Sequence, residues 1–244
     1  MSENTSAISV RNVSITYKWI KAYSIKKNLL RLKKSENQIV EAVKNVSFEV
    51  PEGSILGIIG KNGSGKSTIL KALAGIFSPD EGEIDLHGHT VSLLAIGVGF
   101  EKELTGRENI LLSGMLLGFD EAFVREKTPE IIKFAEIGKF IDMPVRTYSS
   151  GMYSKLAFSI TAILETDIML VDEVLSVGDH KFKKKSFEKM QELISDSHRT
   201  VIIVSHSIPS LRSLCQKVMW MHDGKIKKIG DADEVLDEYA EFMK

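Results

Sequence analysis

The sequence predicts an α/β fold with a mostly parallel sheet, a small N-terminal antiparallel β subdomain and an inserted helical subdomain. Three observations predict it. The runs Ile55-Leu56-Gly57-Ile58-Ile59, Ile168-Met169-Leu170-Val171 and Val201-Ile202-Ile203-Val204 are continuously apolar, as strands buried on both faces of a parallel sheet are. Each run stops at polar residues: a glycine-rich loop, then Asp172-Glu173, then Ser205-His206. Residues 104–164 carry helical periodicity without such runs, which marks helices set into an α/β chain.

The 244 residues, 43% hydrophobic and 27% charged, suit one large domain with an insertion. We read a single domain with its core at 1–100 and 166–244, a helical subdomain at 101–165, and a basic amphipathic insertion at 18–41. A net charge of −1 gives no global pull toward nucleic acid, so no nucleic-acid partner is expected. Cys215 is the only cysteine, which precludes an internal disulfide and fits a reducing compartment. The polar start Met1-Ser2-Glu3-Asn4-Thr5 lacks a signal peptide's apolar core. The longest apolar runs fall far short of the ~18 residues that span a bilayer. If the protein works at a membrane, another chain is expected to do the crossing.

Residues 8–17 alternate as a half-buried strand does, and Val43, Val46, Phe48 and Val50 continue that alternation in a second strand. Between them lies an insertion whose first half carries Lys18, Lys21, Lys26, Lys27, Arg31, Lys33 and Lys34 without one acid. Ala22, Ile25, Leu29 and Leu32 recur at three- and four-residue spacing behind Trp19, the pattern of a basic amphipathic helix. Two readings of it stay open: a solvated helix resting on the domain, or a membrane-surface or partner-binding helix. Residues 76–99 read as turns and short strands, with Pro79-Asp80-Glu81-Gly82 a turn. Helices are expected at 109–117, 121–137 and 152–164. Met219 to Ile226 reads as a hairpin around Asp223-Gly224. Residues 232–244 close the chain as an acidic helix with Val235, Leu236, Tyr239 and Met243 on one face.

The stretch Gly60-Lys61-Asn62-Gly63-Ser64-Gly65-Lys66-Ser67 reads G-x-x-x-x-G-K-S, between an apolar strand and a helix-forming segment. This is the P-loop in its required context. Its glycines turn backbone N–H groups toward phosphate oxygens, and the following helix presents its positive end to the same anion. The nucleotide-binding set is Gly60, Asn62, Gly63, Gly65, Lys66, Ser67 and Thr68. Lys66 would reach the β- and γ-phosphates and Ser67 would hold Mg²⁺. Asp172 can hold Mg²⁺ directly or through water, and Glu173 can polarise an attacking water. His206, after a third buried strand, is a candidate sensor of the γ-phosphate. Open α/β sheets bind ligands beyond the carboxyl ends of their strands, and three polar stops there reinforce one another. Ser149-Ser150-Gly151 opens a helix, a second anion-binding N-terminus that a small kinase or GTPase has no use for.

In this order the P-loop, Tyr148-Ser149-Ser150-Gly151-Met152, Asp172-Glu173, Ser176-Val177-Gly178-Asp179 and Ser205-His206 resemble an ABC ATPase, the nucleotide-binding subunit of an ABC transporter. The resemblance covers the whole chain. Leu104-Thr105-Gly106-Arg107-Glu108-Asn109-Ile110 and the long insertion after Tyr17 resemble the branch that exports lipid-linked polysaccharides: O antigen, capsule and teichoic acid. The resemblance implies that two copies pair head to tail, with ATP between the P-loop of one and Ser149 and Gly151 of the other. Asp179 would cross the same interface. Tyr17 would stack on adenine, with Trp19 and Tyr23 as competitors. ATP-driven closure would move a separate membrane-spanning permease that carries a lipid-linked glycan, which implies a peripheral position on the cytoplasmic face of the cell membrane.

Two departures stand out. Ser150 replaces the first of two signature glycines. The family's loop glutamine is also missing: glutamine occurs only at 38, 191 and 216, and Ile96 falls near the expected place. Competing functions are an importer subunit, a soluble ABC ATPase of translation or repair, and a regulatory module that binds ATP without hydrolysis. The chain ends at Lys244, so no carbohydrate-binding domain after the ATPase is expected.

Overall fold

Two sheets and a helical layer build the molecule, and the P-loop helix is packed between the sheets. The computed structural model describes residues 5–19, 38–94, 97, 99–172, 179–195 and 199–243. Strands β1 (Ser6–Trp19) and β2 (Gln38–Pro51) pair antiparallel along their length, and β4 (Glu81–Asp85) pairs with the other edge of β1. The larger sheet takes the order β5-β6-β7-β3-β8-β9, with β3 (Ile55–Ile59), β5 (Val91–Leu93), β6 (Ile168–Val171), β7 (Thr200–Val204), β8 (Lys217–His222) and β9 (Lys225–Asp231). All its pairings are parallel except the closing hairpin β8–β9.

Registers bring three strand ends together. Ile58 lies opposite Val204, and Val171 opposite Ile203. The three apolar strands therefore end at one edge, where Gly60, Asp172 and His206 follow them. Every residue of β6 and β7 is buried, which is why neither strand alternates.

Helix α1 (Lys66–Leu73) buries Ile69, Leu70 and Leu73 in a cluster that holds Ile8, Val10 and Val13 of the small sheet and Ile58 and Ile202 of the large one. On the far face, α5 (His180–Ser195), α6 (Ile208–Leu214) and α7 (Ala232–Phe242) supply Phe182, Leu193, Leu211 and Leu236 to a second cluster. Helices α2 (Gly106–Leu116), α3 (Glu121–Ala135) and α4 (Ser150–Leu164) build a third cluster of their own from Ile110, Val124, Ile131, Leu156 and Ile160. Met243, expected on the buried face of the last helix, is exposed because it lies beyond the helix end.

The ends of the basic insertion differ from the expected helix. Cross-strand pairing carries β1 through Lys18 and Trp19 and starts β2 at Gln38, with Tyr17 opposite Val40 and Lys18 opposite Ile39. Trp19 thus belongs to a two-stranded ribbon. Tyr23, Lys26, Lys27 and Arg31 lie outside the described residues. The ribbon carries a bulge: Ile15 pairs with Val43 but Thr16 with Glu41, so Ala42 is an extra residue.

Candidate functional site

The P-loop is shaped by close approach from two directions. Gly65 has φ +99° and forms the cap of α1; a Cβ there would lie 2.4 Å from the carbonyl of the bulged Ala42. A Cβ on Gly60 would lie 2.2 Å from the carbonyl of Met221 in β8. Only glycine lets the loop be clamped this tightly. Gly63, at φ +79°, has nothing near its outer face, so the middle of the loop is open. The terminal hairpin braces the inner side, because the Gly224 N–H donates to the Ser64 carbonyl at 3.2 Å.

Lys66 is buried and its ammonium donates to the Gly60 carbonyl at 2.8 Å and the Lys61 carbonyl at 3.0 Å. The cation is thereby aimed back across the loop. Ser64 is 3% exposed and its hydroxyl has no hydrogen-bond partner among the described residues. Ser67 is exposed and Thr68 half-buried on the first turn of α1. A clamped loop, an open centre, an inward cation and a helix N-terminus fit a polyphosphate.

Tyr17 stands beside this loop. Its hydroxyl donates to the Thr68 hydroxyl at 3.4 Å, and its ring meets Phe77 edge-on with centroids 6.3 Å apart. The ring is partly exposed, so one side is free for a planar ligand.

Asp172 is half-buried just past β6, and His206 is exposed just past β7. The Ser205 N–H donates to the Ile58 carbonyl at 3.3 Å, which ties the end of β7 to the strand that feeds the P-loop. Among the described residues, no group of three or more His, Cys, Asp or Glu side chains gathers as a metal site. Glu173, Ser176, Gly178 and Ile96 lie outside the described residues.

The second N-terminus belongs to the helical layer. Ser149 caps α4, its hydroxyl accepting from the Met152 N–H at 3.2 Å. Ser149 and Ser150 are exposed, and the space around Gly151 is open. Asp179 opens α5 by accepting the Phe182 N–H at 3.0 Å, and its other oxygen accepts from the Lys155 ammonium at 2.6 Å. Two contributors escaped sequence reading. Ser64 sits inside the motif, but its burial depends on the distant β8–β9 turn. Asn109 is fully buried; its amide donates to the carbonyls of Glu101, Leu104 and Thr105, and its oxygen accepts the Glu101 N–H. It organises the loop that enters the helical layer.

Known proteins share sequence and fold with this chain. A family model described as ABC transporter matches residues 43–176. The teichoic acids export ATP-binding protein TagH of Bacillus anthracis is 47% identical over 203 residues, 83% of this chain and 37% of that protein. The O-antigen export system ATP-binding protein RfbB of Myxococcus xanthus is 40% identical over 225 residues, 90% of this chain and 51% of that protein. The chain spans about half the length of these relatives or less. A dimeric ATP-binding cassette, MJ0796, solved after hydrolysis with ADP and Pi, superposes with a TM-score of 0.69 at 22% identity, covering 92% of this chain and 98% of that one.

Proposed function

The chain belongs to the ABC transporter family, and we propose that it is the ATP-hydrolysing, nucleotide-binding subunit of an exporter of a lipid-linked cell-surface polysaccharide. One observation carries the ATPase reading. The clamped P-loop with its buried Lys66 shares one sheet edge with Asp172 and His206. The export reading is supported by the teichoic acid and O-antigen export names of relatives 40–47% identical.

In this reading Gly60, Asn62, Gly63, Gly65, Lys66, Ser67 and Thr68 bind the phosphates and Tyr17 covers the adenine. Ser67 and Asp172 would hold Mg²⁺, whose charge offsets that of the β- and γ-oxygens. Glu173 orients and polarises water, and His206 meets the γ-phosphate. Ser149, Ser150, Gly151 and Asp179 act on the nucleotide of a second copy paired head to tail. Such closure excludes water and completes the site only when ATP is present.

Among the described residues, no helix is long and apolar enough to cross a membrane. In this reading a separate permease carries the glycan, with this subunit on the cytoplasmic face. A groove of about 340 Å³ between α1, β5 and α2 suits that partner: Ile76 and Leu116 line it and are exposed, as is the adjacent Met115. The test is co-purification of this subunit with its membrane partner and bound glycan. Leu116→Asp is expected to lower the recovered permease at least fivefold while leaving nucleotide affinity unchanged. A permease recovered without any polyprenyl-linked glycan, alongside a solute-binding protein, would favour import.

A further inference from the structure

We propose that Lys155 is a positioning residue that fastens the capped start of α4 to Asp179, so that one protomer presents both to its partner's nucleotide as a single unit. The proposal rests on the composite, head-to-tail reading above. Lys155 lies on α4, less than two turns beyond the cap residue Ser149. Its side chain is only 14% exposed although its partner carboxylate is 60% exposed. A lysine on a helix surface ordinarily runs into water; this one is drawn inward, with its ammonium 5.2 Å from the centroid of the Phe182 ring.

Each Asp179 carboxylate oxygen has a partner within its own chain, while the carboxylate stays 60% exposed. One oxygen takes the Lys155 ammonium and the other takes the Phe182 N–H, while its carbonyl accepts from the Lys183 N–H at 2.9 Å. Asp179 is thus both a helix cap and half of an ion pair. The lysine first, and then the backbone N–H, hold its carboxyl down at about 2. Stability from a depressed carboxyl is fully present above its unfolded value of 3.8 and is lost as pH falls through about 2. The Asp179 carboxylate of the link is therefore fully ionised at neutral pH.

Further contacts fasten the same end of α5 to the helical layer. Lys181 and Lys185 reach the Glu136 carboxylate at 3.2 and 2.8 Å, and Lys185 also donates to the Phe134 carbonyl at 3.0 Å. Phe182 meets Phe134 and Phe158 edge-on at 5.8 and 6.1 Å. Phe182 and Phe158 also join Met190, Leu193 and Ile194 in the cluster that covers β6 and β7. Asp179 and the start of α5 are therefore tied to α3 and α4 by side-chain contacts as well as by the shared core. Recognition groups must be held to within about 0.5 Å to act together, and groups on separate elements need such a link.

The test uses the full chain with Lys155→Met, Lys155→Arg, Asp179→Asn and the Met/Asn double variant. Nucleotide affinity is read with a fluorescent ATP analogue, pairing by analytical ultracentrifugation, and turnover as a function of ATP and protein concentration. Lys155→Met and Asp179→Asn are expected to lower kcat at least tenfold and to raise the protein concentration for half-maximal pairing at least tenfold. Affinity for the first nucleotide should stay within twofold. Lys155→Arg should recover turnover to within threefold of wild type, and the double variant should be no worse than the poorer single one. Asp179→Asn keeps an oxygen to cap Phe182, so it carries the test should Lys155→Met fail to fold. Wild-type pairing and turnover in the Met and Asn variants would overturn the positioning role and leave the composite site standing. Parallel losses of first-nucleotide affinity and thermal stability, with Arg no better than Met, would also overturn it. A wild-type chain that hydrolyses ATP without pairing would overturn both.

Discussion

At Gly65, two constraints meet in one residue: a left-handed φ and a carbonyl that leaves no room for a Cβ. Gly65→Ala should cost about 1–3 kcal/mol of stability and reduce nucleotide affinity at least tenfold, read by denaturant titration and equilibrium binding. Lys66→Ala should abolish turnover and weaken nucleotide binding, because it removes the charge aimed at the phosphates. Cys215 provides an independent check on packing. Burial pushes its thiol up to about 12, and its sulfur would lie 3.1 Å from a Cβ on Gly57 of β3. Native protein at pH 8 should resist alkylation by iodoacetamide until it unfolds; rapid labelling would show that this face of the sheet opens. Gly57→Ala should destabilise by about 1–3 kcal/mol, since Cys215, Leu211 and Val218 would all have to yield.

The helix starts show how local signals set boundaries. The pattern at 109–117 predicts α2 three residues late, because the apolar period begins after the cap. Thr105 and Glu108 form a capping box, with the Thr105 N–H and hydroxyl both donating to the Glu108 carboxylate, and this pulls the start back to Gly106. The same shift occurs at α4, where the Ser149 cap starts the helix at Ser150 rather than Met152. Both caps were readable as residues; their effect on the boundary is geometric. Strand β4 was harder to read. Glu81-Gly82-Glu83-Ile84-Asp85 has no apolar alternation and is strand because it pairs with Ser9, Val10 and Arg11 of β1. Likewise the long ribbon of β1 and β2 carries basic and polar residues that resemble a helix's outer face, and only cross-strand pairing distinguishes them. The loop before α2 depends on Asn109, four of whose hydrogen bonds go to backbone within eight residues. Asn109→Leu strands those buried groups and should cost about 3 kcal/mol by thermal or denaturant unfolding. A cost below about 0.5 kcal/mol would mean that water replaces the amide.

For the whole molecule, the three hydrophobic clusters separate the tasks. The P-loop helix is locked between two sheets, whereas α2, α3 and α4 carry their own core. The P-loop and the strand-end residues were legible in the sequence because motif, apolar run and polar stop coincide. The bracing of the loop by β8–β9, and of Asp179 by Lys155, was not, because each joins residues far apart in the chain. The central claim is that ATP is hydrolysed between two copies, with the loop of one facing the α4 start of the other. Mixed dimers test it most directly. With Lys66→Ala in one copy and Gly151→Asp in the other, both defects fall on one composite site and the second remains whole. Single-turnover assays should then show close to one ATP hydrolysed per dimer. With both substitutions in the same copy beside a wild-type partner, each site carries one defect and hydrolysis should vanish. The reverse pattern, a silent first dimer and an active second, would contradict the account.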